Sequence, residues 1–184
     1  SHSDRRANEE RLAVQGQALM ELTAQQMQRA ANIEERLGLI LETCARTLGA
    51  GRVSIWRFDA DGAAIRCLNL FDLASGVHSS GDTIRKDPYP AYFEALEQER
   101  FIAADDAHPD PRTREFAGSY LTPHGIGSML DVPLRRKDEV SGVMCVEHVG
   151  GARAWTVDER TFVLAVANLI VAAVATDVRR EALR

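Results

Sequence analysis

Two runs near the end of the chain, 127-GSMLDVPL-134 and 140-VSGVMCVEHV-149, constrain the fold more than any other feature. Each has the composition of a strand, and they lie close enough in sequence to pair as one antiparallel hairpin. Strand alternation sorts their side chains onto two faces. Ser128, Leu130, Val132 and Leu134 share one face; Met129, Asp131 and Pro133 share the other. On the second strand Val143, Cys145 and Glu147 lie on one side, and Met144, Val146 and His148 on its opposite. Cysteine, glutamate and histidine are the side chains of metal sites and nucleophilic catalysis. Cys145 and His148 nevertheless point to opposite faces. A Cys–His catalytic pair or a Cys–Glu–His metal site would need an intervening bulge.

A second hairpin is expected upstream, where 52-RVSIWRFD-59 and 63-AAIRCLNLFDL-73 flank the turn 60-ADG-62. Val53 and Ile55 alternate with Ser54, Trp56 and Phe58, so both faces are at least half apolar and both need a cover. The chain ends offer one. From Arg5 to about Ala50 there is no proline and helix formers dominate. Leu12, Leu19, Ile33 and Ile40 fall on a seven-residue grid with Gln26 at the missing turn. That predicts either a solvated helix with an apolar seam or a parallel coiled coil with a second copy. Near the other end, Thr156 and Glu159 have capping-box spacing. Phe162, Val163, Val166, Leu169, Ile170, Ala173 and Val174 follow at helical spacing. Arg179, Arg180 and Arg184 suit a helix C-terminus. Nothing obliges that helix to stop at Arg184, as expected of a module from a longer signalling protein.

The other cover falls to the middle of the chain. After a loop rich in Gly, Ser and Pro, 89-YPAYFEALEQER-100 predicts a short amphipathic helix and 101-FIAADDA-107 a short strand. The stretch 109-PDPRTREFAGSYLTPHG-125 predicts irregular chain with one or two helical turns. The expected class is α+β: a central antiparallel sheet, terminal helices on one face and segment 77 to 125 on the other. Long irregular connections across a sheet often enclose a small-molecule pocket. The expected division is an N-terminal signalling or coiled-coil helix over 1–35 and one α+β domain over 36–184 that ends in a long C-terminal helix.

Composition narrows the function classes. A net charge of −5 without a long basic run excludes nucleic acid or an anionic membrane as the main partner. The longest apolar stretch, 162-FVLAVANLIVAAVA-175, is too short to span a bilayer, so no direct membrane insertion is expected. Cys44, Cys67 and Cys145 are odd in number, widely spaced and outside any CxxC pair. That suits a reducing cytoplasm and no structural zinc.

From about Arg36 to Arg180 the chain resembles a GAF domain, a small-molecule sensor module of bacterial signalling proteins. The run 120-YLTPHGIGSMLDVPLRRKDEVSGVMCVEHVG-150 carries most of the likeness. It is similar to the pattern of GAF modules that precede histidine kinase or diguanylate cyclase domains. 105-DDAHPDPRTREF-116 and 153-RAWTVDERTF-162 fit that subgroup too. Phytochrome chromophore domains are relatives. By that resemblance Trp56 takes the place of a chromophore-facing tyrosine and Tyr120 that of a pocket tyrosine. Met129 and Asp131 stand where serines approach a chromophore propionate, and Glu147 near a pocket histidine. Ala117 replaces the phytochrome-type histidine and no Cys-His dipeptide follows, so covalent bilin is not expected. The NKFDE-type signature of cyclic-nucleotide GAF domains is not found. The cofactor is left unspecified, with a cyclic nucleotide or another small molecule open.

Several residues carry two readings. Cys145 is either a reactive thiol or a buried structural one. Glu147 either binds a cationic or amine ligand or pairs with Arg112 or Arg114. Asp105, Asp106, His108 and Asp110 are either metal donors or turn residues of HPDP. His148 near a strand end is a candidate haem ligand. Trp56, Tyr92, Phe93, Phe116 and Tyr120 form either a stacking cage or ordinary core. The resemblance implies a non-enzymatic sensor with a ligand site of Trp56, Phe93, Arg112, Phe116, Tyr120, Met129, Asp131, Cys145 and Glu147, and no metal. Asp131 and Glu147 are its polar anchors, Arg112 an anion partner, and Trp56, Phe93 and Tyr120 its walls. A homodimer through the terminal helices would relay the bound state to an output kinase or cyclase. The alternatives are a ligand-free dimerisation and relay module, and a free methionine sulfoxide reductase. The enzyme needs cysteines converging in the pocket, where only Cys145 is expected.

Overall fold

The helix expected from Arg5 to about Ala50 is broken at Asn32 in the computed structural model of the chain. The structure describes residues 1–27 and 32–182, with side chains to residue 175. Helix α1 covers His2–Met27 and α2 covers Ile33–Leu48. Asn32 is extended, at φ −74° and ψ 169°, and its side chain accepts the Glu35 amide at 2.8 Å. A helix that begins at a cap cannot continue a heptad from the preceding one. The seam of α1 differs accordingly: Gln15, Ala18 and Leu22 are buried, and Leu12 and Met20 are exposed. Helix α1 packs on α2 and on the C-terminal helix of the same chain.

Strands β1 (Arg52–Phe58) and β2 (Ala64–Asp72) form the first hairpin, turned by Gly62 at φ 71°. Strands β3 (Val77–Ser79) and β4 (Thr83–Arg85) follow, both paired to β2, where the sequence reads only as loop. Three-residue strands are too short to show a periodicity, and only Ile84 among their side chains reaches a core, which is why pattern reading passes over them. Next come α3 (Pro90–Gln98) and β5 (Ile102–Ala104). A 3₁₀ turn at Arg114–Phe116, a π-helical turn at Ala117–Leu121 and the single turn α4 (Thr122–His124) complete the middle segment. Toward the turn, strand β6 (Ile126–Arg136) runs two residues further than expected and β7 (Glu139–Val149) one residue further. Lys137 and Asp138 alone close it, both at positive φ, the geometry of a tight two-residue hairpin. Helix α5 (Val157–Ala182) opens with the expected capping box. The Glu159 amide donates to Thr156 Oγ1 and the Thr156 amide to Glu159 Oε1, at 3.2 and 3.0 Å. Arg179, Arg180 and Arg184 lie outside the residues whose side chains are described.

The strands form one antiparallel sheet in the order β3-β2-β1-β7-β6-β5, with β4 also on β2. Two cores flank it. On one face Leu22, Ile40, Leu41, Val166 and Ile170 pack on Val53, Ile55, Leu130, Val132, Met144 and Val146. On the other, Tyr92, Phe93, Phe116 and Leu121 pack on Trp56, Met129, Val143 and Cys145. The alternation inferred for β1, β6 and β7 is borne out, whereas β2 carries a bulge that interrupts it.

The two hairpins join through β1 and β7, and Gly142 sits where they come closest. A Cβ there would lie 2.1 Å from the Trp56 carbonyl oxygen, a backbone atom that cannot give way. Gly142→Ala is expected to cost about 1–3 kcal/mol through overpacking, read as a lowered urea midpoint. Gly16→Ala on exposed α1, where nothing lies within 4 Å, should instead stabilise by about 0.5–1 kcal/mol.

Candidate functional site

Strand register brings two carboxylates to the face covered by the middle segment. Met129 lies opposite Glu147, and Asp131 opposite Cys145, in the β6–β7 pair. Both carboxylates are buried, Asp131 at 0% and Glu147 at 1% exposure. A buried charge is tolerated only when paired.

Glu147 is paired. Arg52, opposite it across β1–β7, donates from Nε to Glu147 Oε1 at 2.9 Å. The Tyr120 hydroxyl donates to Oε2 at 2.7 Å, and Arg52 Nη2 donates to the Tyr120 oxygen at 3.3 Å. Arg52 Nη1 donates to His124 Nδ1, also at 3.3 Å. Burial is the largest single influence and disfavours the Arg52 cation, but the charges and hydrogen bonds of Glu147 and Tyr120 together outweigh it and raise the pKa above its ordinary value. Burial, then the neighbouring Glu147, pushes the Tyr120 phenol well up. Burial, then the Arg52 charge, lowers the His124 imidazole. The π-helical turn that carries Tyr120 is a form of backbone often found at functional positions.

Asp131 has no cation. Its Oδ2 accepts from the Tyr92 hydroxyl and from Cys145 Sγ, the latter at 3.4 Å. Its Oδ1 is buried and makes no hydrogen bond of ordinary geometry, although the Val146 amide nearby favours the ionised form. Burial, with the Glu147 charge second, lifts this carboxyl to about 8. Burial also raises the Tyr92 phenol and the Cys145 thiol well above their usual ranges. A thiol held protonated is a poor nucleophile.

Aromatic rings fill the space over the carboxylates. Phe116 stacks on Tyr89 at 4.1 Å between centroids and meets Tyr92 edge-on at 4.8 Å; Tyr92 meets Phe93 at 5.3 Å. The expected cage residues Trp56, Tyr92, Phe93, Phe116 and Tyr120 do converge, and they pack as a core. Trp56 is tied down through Nε1, which donates to Ser54 Oγ at 2.8 Å.

Of the nine residues inferred for the site, Trp56, Phe93, Phe116, Tyr120, Met129, Asp131, Cys145 and Glu147 gather on this face. Arg112 does not join them. Its guanidinium donates to Asp110, to Glu99 at 3.1 Å and to the Ala103 carbonyl at 2.8 Å, a staple between α3, β5 and the following loop. The partner of Glu147 is Arg52, not Arg112 or Arg114, because β1 runs beside β7. The sequence pattern marks Tyr92 only as a ring of the cage; its hydroxyl is what meets Asp131. Cys67 was assigned away from the pocket, yet it packs in the same core as Cys145, since a bulge between Ile55 and Trp56 resets the register. Its thiol is pushed up to about 12, by burial first and Asp82 second. The acidic stretch 105–110 serves the backbone: Asp105 accepts the Trp155 amide, and Asp110 holds Arg112. Among the described residues no three metal donors converge. Nor is any described helix long and apolar enough to cross a membrane.

The sequence matches the GAF domain family over residues 32–174, and the chain belongs to that family of sensory and regulatory modules, which are typically not catalytic. No curated protein matches it in sequence. Its fold is similar to the phycoerythrobilin-bound GAF domain from a cyanobacterial phytochrome, with TM-score 0.76 and 17% identity over 92% of this chain and 98% of that one. It is also similar to the GAF domain of an Acinetobacter phosphoenolpyruvate-protein phosphotransferase, at TM-score 0.67 and 14% identity over 90% and 92% of the two chains. The photosensory core module of the Stigmatella aurantiaca phytochrome matches at TM-score 0.70 and 15% identity, over 89% of this chain and 36% of that longer one. At these identities the likeness is one of fold.

The raised Asp131 carboxyl makes stability depend on pH. Its folded value of about 8 stands above the unfolded value of about 4. The folded state therefore holds the extra proton between those limits, and stability contributed by the neutral acid is lost as pH rises through them. Asp131→Asn, neutral at every pH, should remove this dependence. Wild-type minus variant unfolding free energy is expected to fall from pH 4 to 8, at a slope of at most about 1.4 kcal/mol per unit. Urea titrations across that range would read it.

Proposed function

We propose that this GAF domain is the sensor module of a cytoplasmic signal-transduction protein. It binds a small molecule bearing N–H or ammonium donors between the sheet and segment 77 to 125. The observation that carries this reading is the buried Asp131 carboxyl with one oxygen left without a good partner. Such a group costs free energy unless something completes it. The hydroxyls of Tyr92 and Tyr120 occupy Asp131 and Glu147 as donors that a ligand would replace. Displacing them moves α3 and the π-helical turn, because those elements carry the tyrosines.

The relay follows from the two-faced strands. Asp131 and Glu147 alternate on β6 and β7 with Leu130, Val132 and Val146, which pack against the terminal helices. A shift of these strands therefore biases α2 and α5 and an output kinase or cyclase domain beyond them. A homodimer through the terminal helices would use Leu12 and Met20, exposed apolar residues of α1. The bound molecule is non-covalent. A second reading, a ligand-free relay, is favoured by the aromatic packing that fills the same face.

Native mass spectrometry and an absorption spectrum of protein purified without denaturation separate the two. The sensor reading expects a retained small mass that is lost from Asp131→Asn and from Glu147→Gln. Apo wild-type protein, with no thermal shift across amine, amidine and nucleobase-type compounds, would leave the relay.

A further inference from the structure

The opposite face carries a second feature, at the far end of β1 from Arg52. Between the C-terminal half of α5 and the sheet lies a cavity of about 180 Å³. Its walls are Ile55, Leu68, Leu134, Ile170, Val171 and Val174, and the charged residues that line it are Arg57 and Arg136. Both arginines are exposed. Arg66, also exposed, lies directly opposite Arg57 in the β1–β2 register, so the two cations share one face. Like charges placed opposite one another repel. None of the three forms an ion pair among the described residues, and Glu139, opposite Arg136 in the β6–β7 register, does not pair with it.

An apolar slot with room to spare and a cationic rim without a counter-charge among the described residues are complementary halves of one binding site. We propose that this slot binds a small amphiphilic anion, a medium-chain carboxylate whose tail enters between α5 and the sheet. An apolar cavity of roughly 150 Å³ accommodates benzene, so this one takes a tail of that order. The carboxylate meets the guanidinium groups of Arg57 and Arg136, which suit planar, two-pronged contact with such a head group. Arg66 adds to the attraction at longer range.

The site is separate from the Asp131 face, because the sheet lies between them: Ile55 and Leu134 belong to the helix-side core, and Met129 and Cys145 to the other. It also touches the part of α5 that leads away from the domain. A tail in the slot bears on Ile170, Val171 and Val174, the stripe that holds α5 to the sheet. This gives the domain a second input, one that acts on the terminal helix directly and needs no movement of the middle segment.

Calorimetry and thermal shift with octanoate, octanamide and acetate test the proposal on the intact chain. Octanoate should bind saturably at one site per chain. Octanamide, with the same tail and no charge, should bind about tenfold more weakly, the loss expected for one charge-assisted contact. Acetate should give no saturable signal. In Arg57→Gln/Arg136→Gln octanoate should fall to the octanamide level, and Val171→Phe, which fills the slot, should weaken both. Asp131→Asn should leave octanoate binding unchanged. Equal binding of octanoate and octanamide to the wild type would overturn the assignment. So would octanoate affinity that survives the double arginine change or is lost in Asp131→Asn, or the absence of saturable binding at millimolar octanoate.

Discussion

The pairing of β1 with β7 is the contact on which the rest of this domain depends. Each hairpin on its own is local, and a two-stranded hairpin is marginal in water. Joined edge to edge they make a sheet wide enough to hold a core on both faces. The same pairing sets Arg52 across from Glu147 and requires a residue without a Cβ beneath the Trp56 carbonyl. Both the stability of the sheet and the chemistry of its covered face are thus decided along one line of backbone hydrogen bonds.

The two buried carboxylates have opposite electrostatic fates. Glu147 lies within a network of Arg52, Tyr120 and His124, with both of its oxygens hydrogen-bonded. Asp131, two register positions along, meets only a phenol and a thiol, and it avoids the cost of a lone buried charge by keeping its proton. Replacing such polar groups by apolar ones is often neutral or stabilising. Their presence at the centre of a core is what motivates the ligand site proposed above. The covering segment is fastened by these hydroxyls, by the Arg112 staple and by Arg135, which donates to the Leu96 and Glu97 carbonyls. It is held by polar contacts at a few points over an aromatic interior.

The helix face is built on different terms. Its core is aliphatic, and α1, α2 and α5 share it. Helix α1 spends its best apolar residue, Leu22, on its own domain, leaving Leu12 and Met20 outside. Helix α5 is continuous from the capping box to Ala182 and packs on β6, α1 and α2. Any change in strand packing reaches it through Ile55, Leu134 and Met144. The two faces thus offer two routes to one helix.

Much of this was legible in the order of the residues. Alternation assigned Met129, Asp131, Cys145 and Glu147 to one face and Leu130, Val132 and Val146 to the other, because a strand's side-chain period is a local property. The Thr156–Glu159 box and the turn at Gly62 are local as well. The break at Asn32 had a signal too, since Asn-x-x-Glu is cap spacing, but an unbroken run of helix formers masked it. What the sequence by itself determined was the α+β class, the faces of the long strands and the group of residues beneath the middle segment. Only the tertiary structure decided which partners those residues meet. Arg52 reaches Glu147, Tyr92 reaches Asp131, Cys67 joins Cys145 and Arg112 turns away, because each contact joins segments far apart in sequence. Such contacts are selected by the joint free energy of sheet pairing and core packing, which no local pattern encodes.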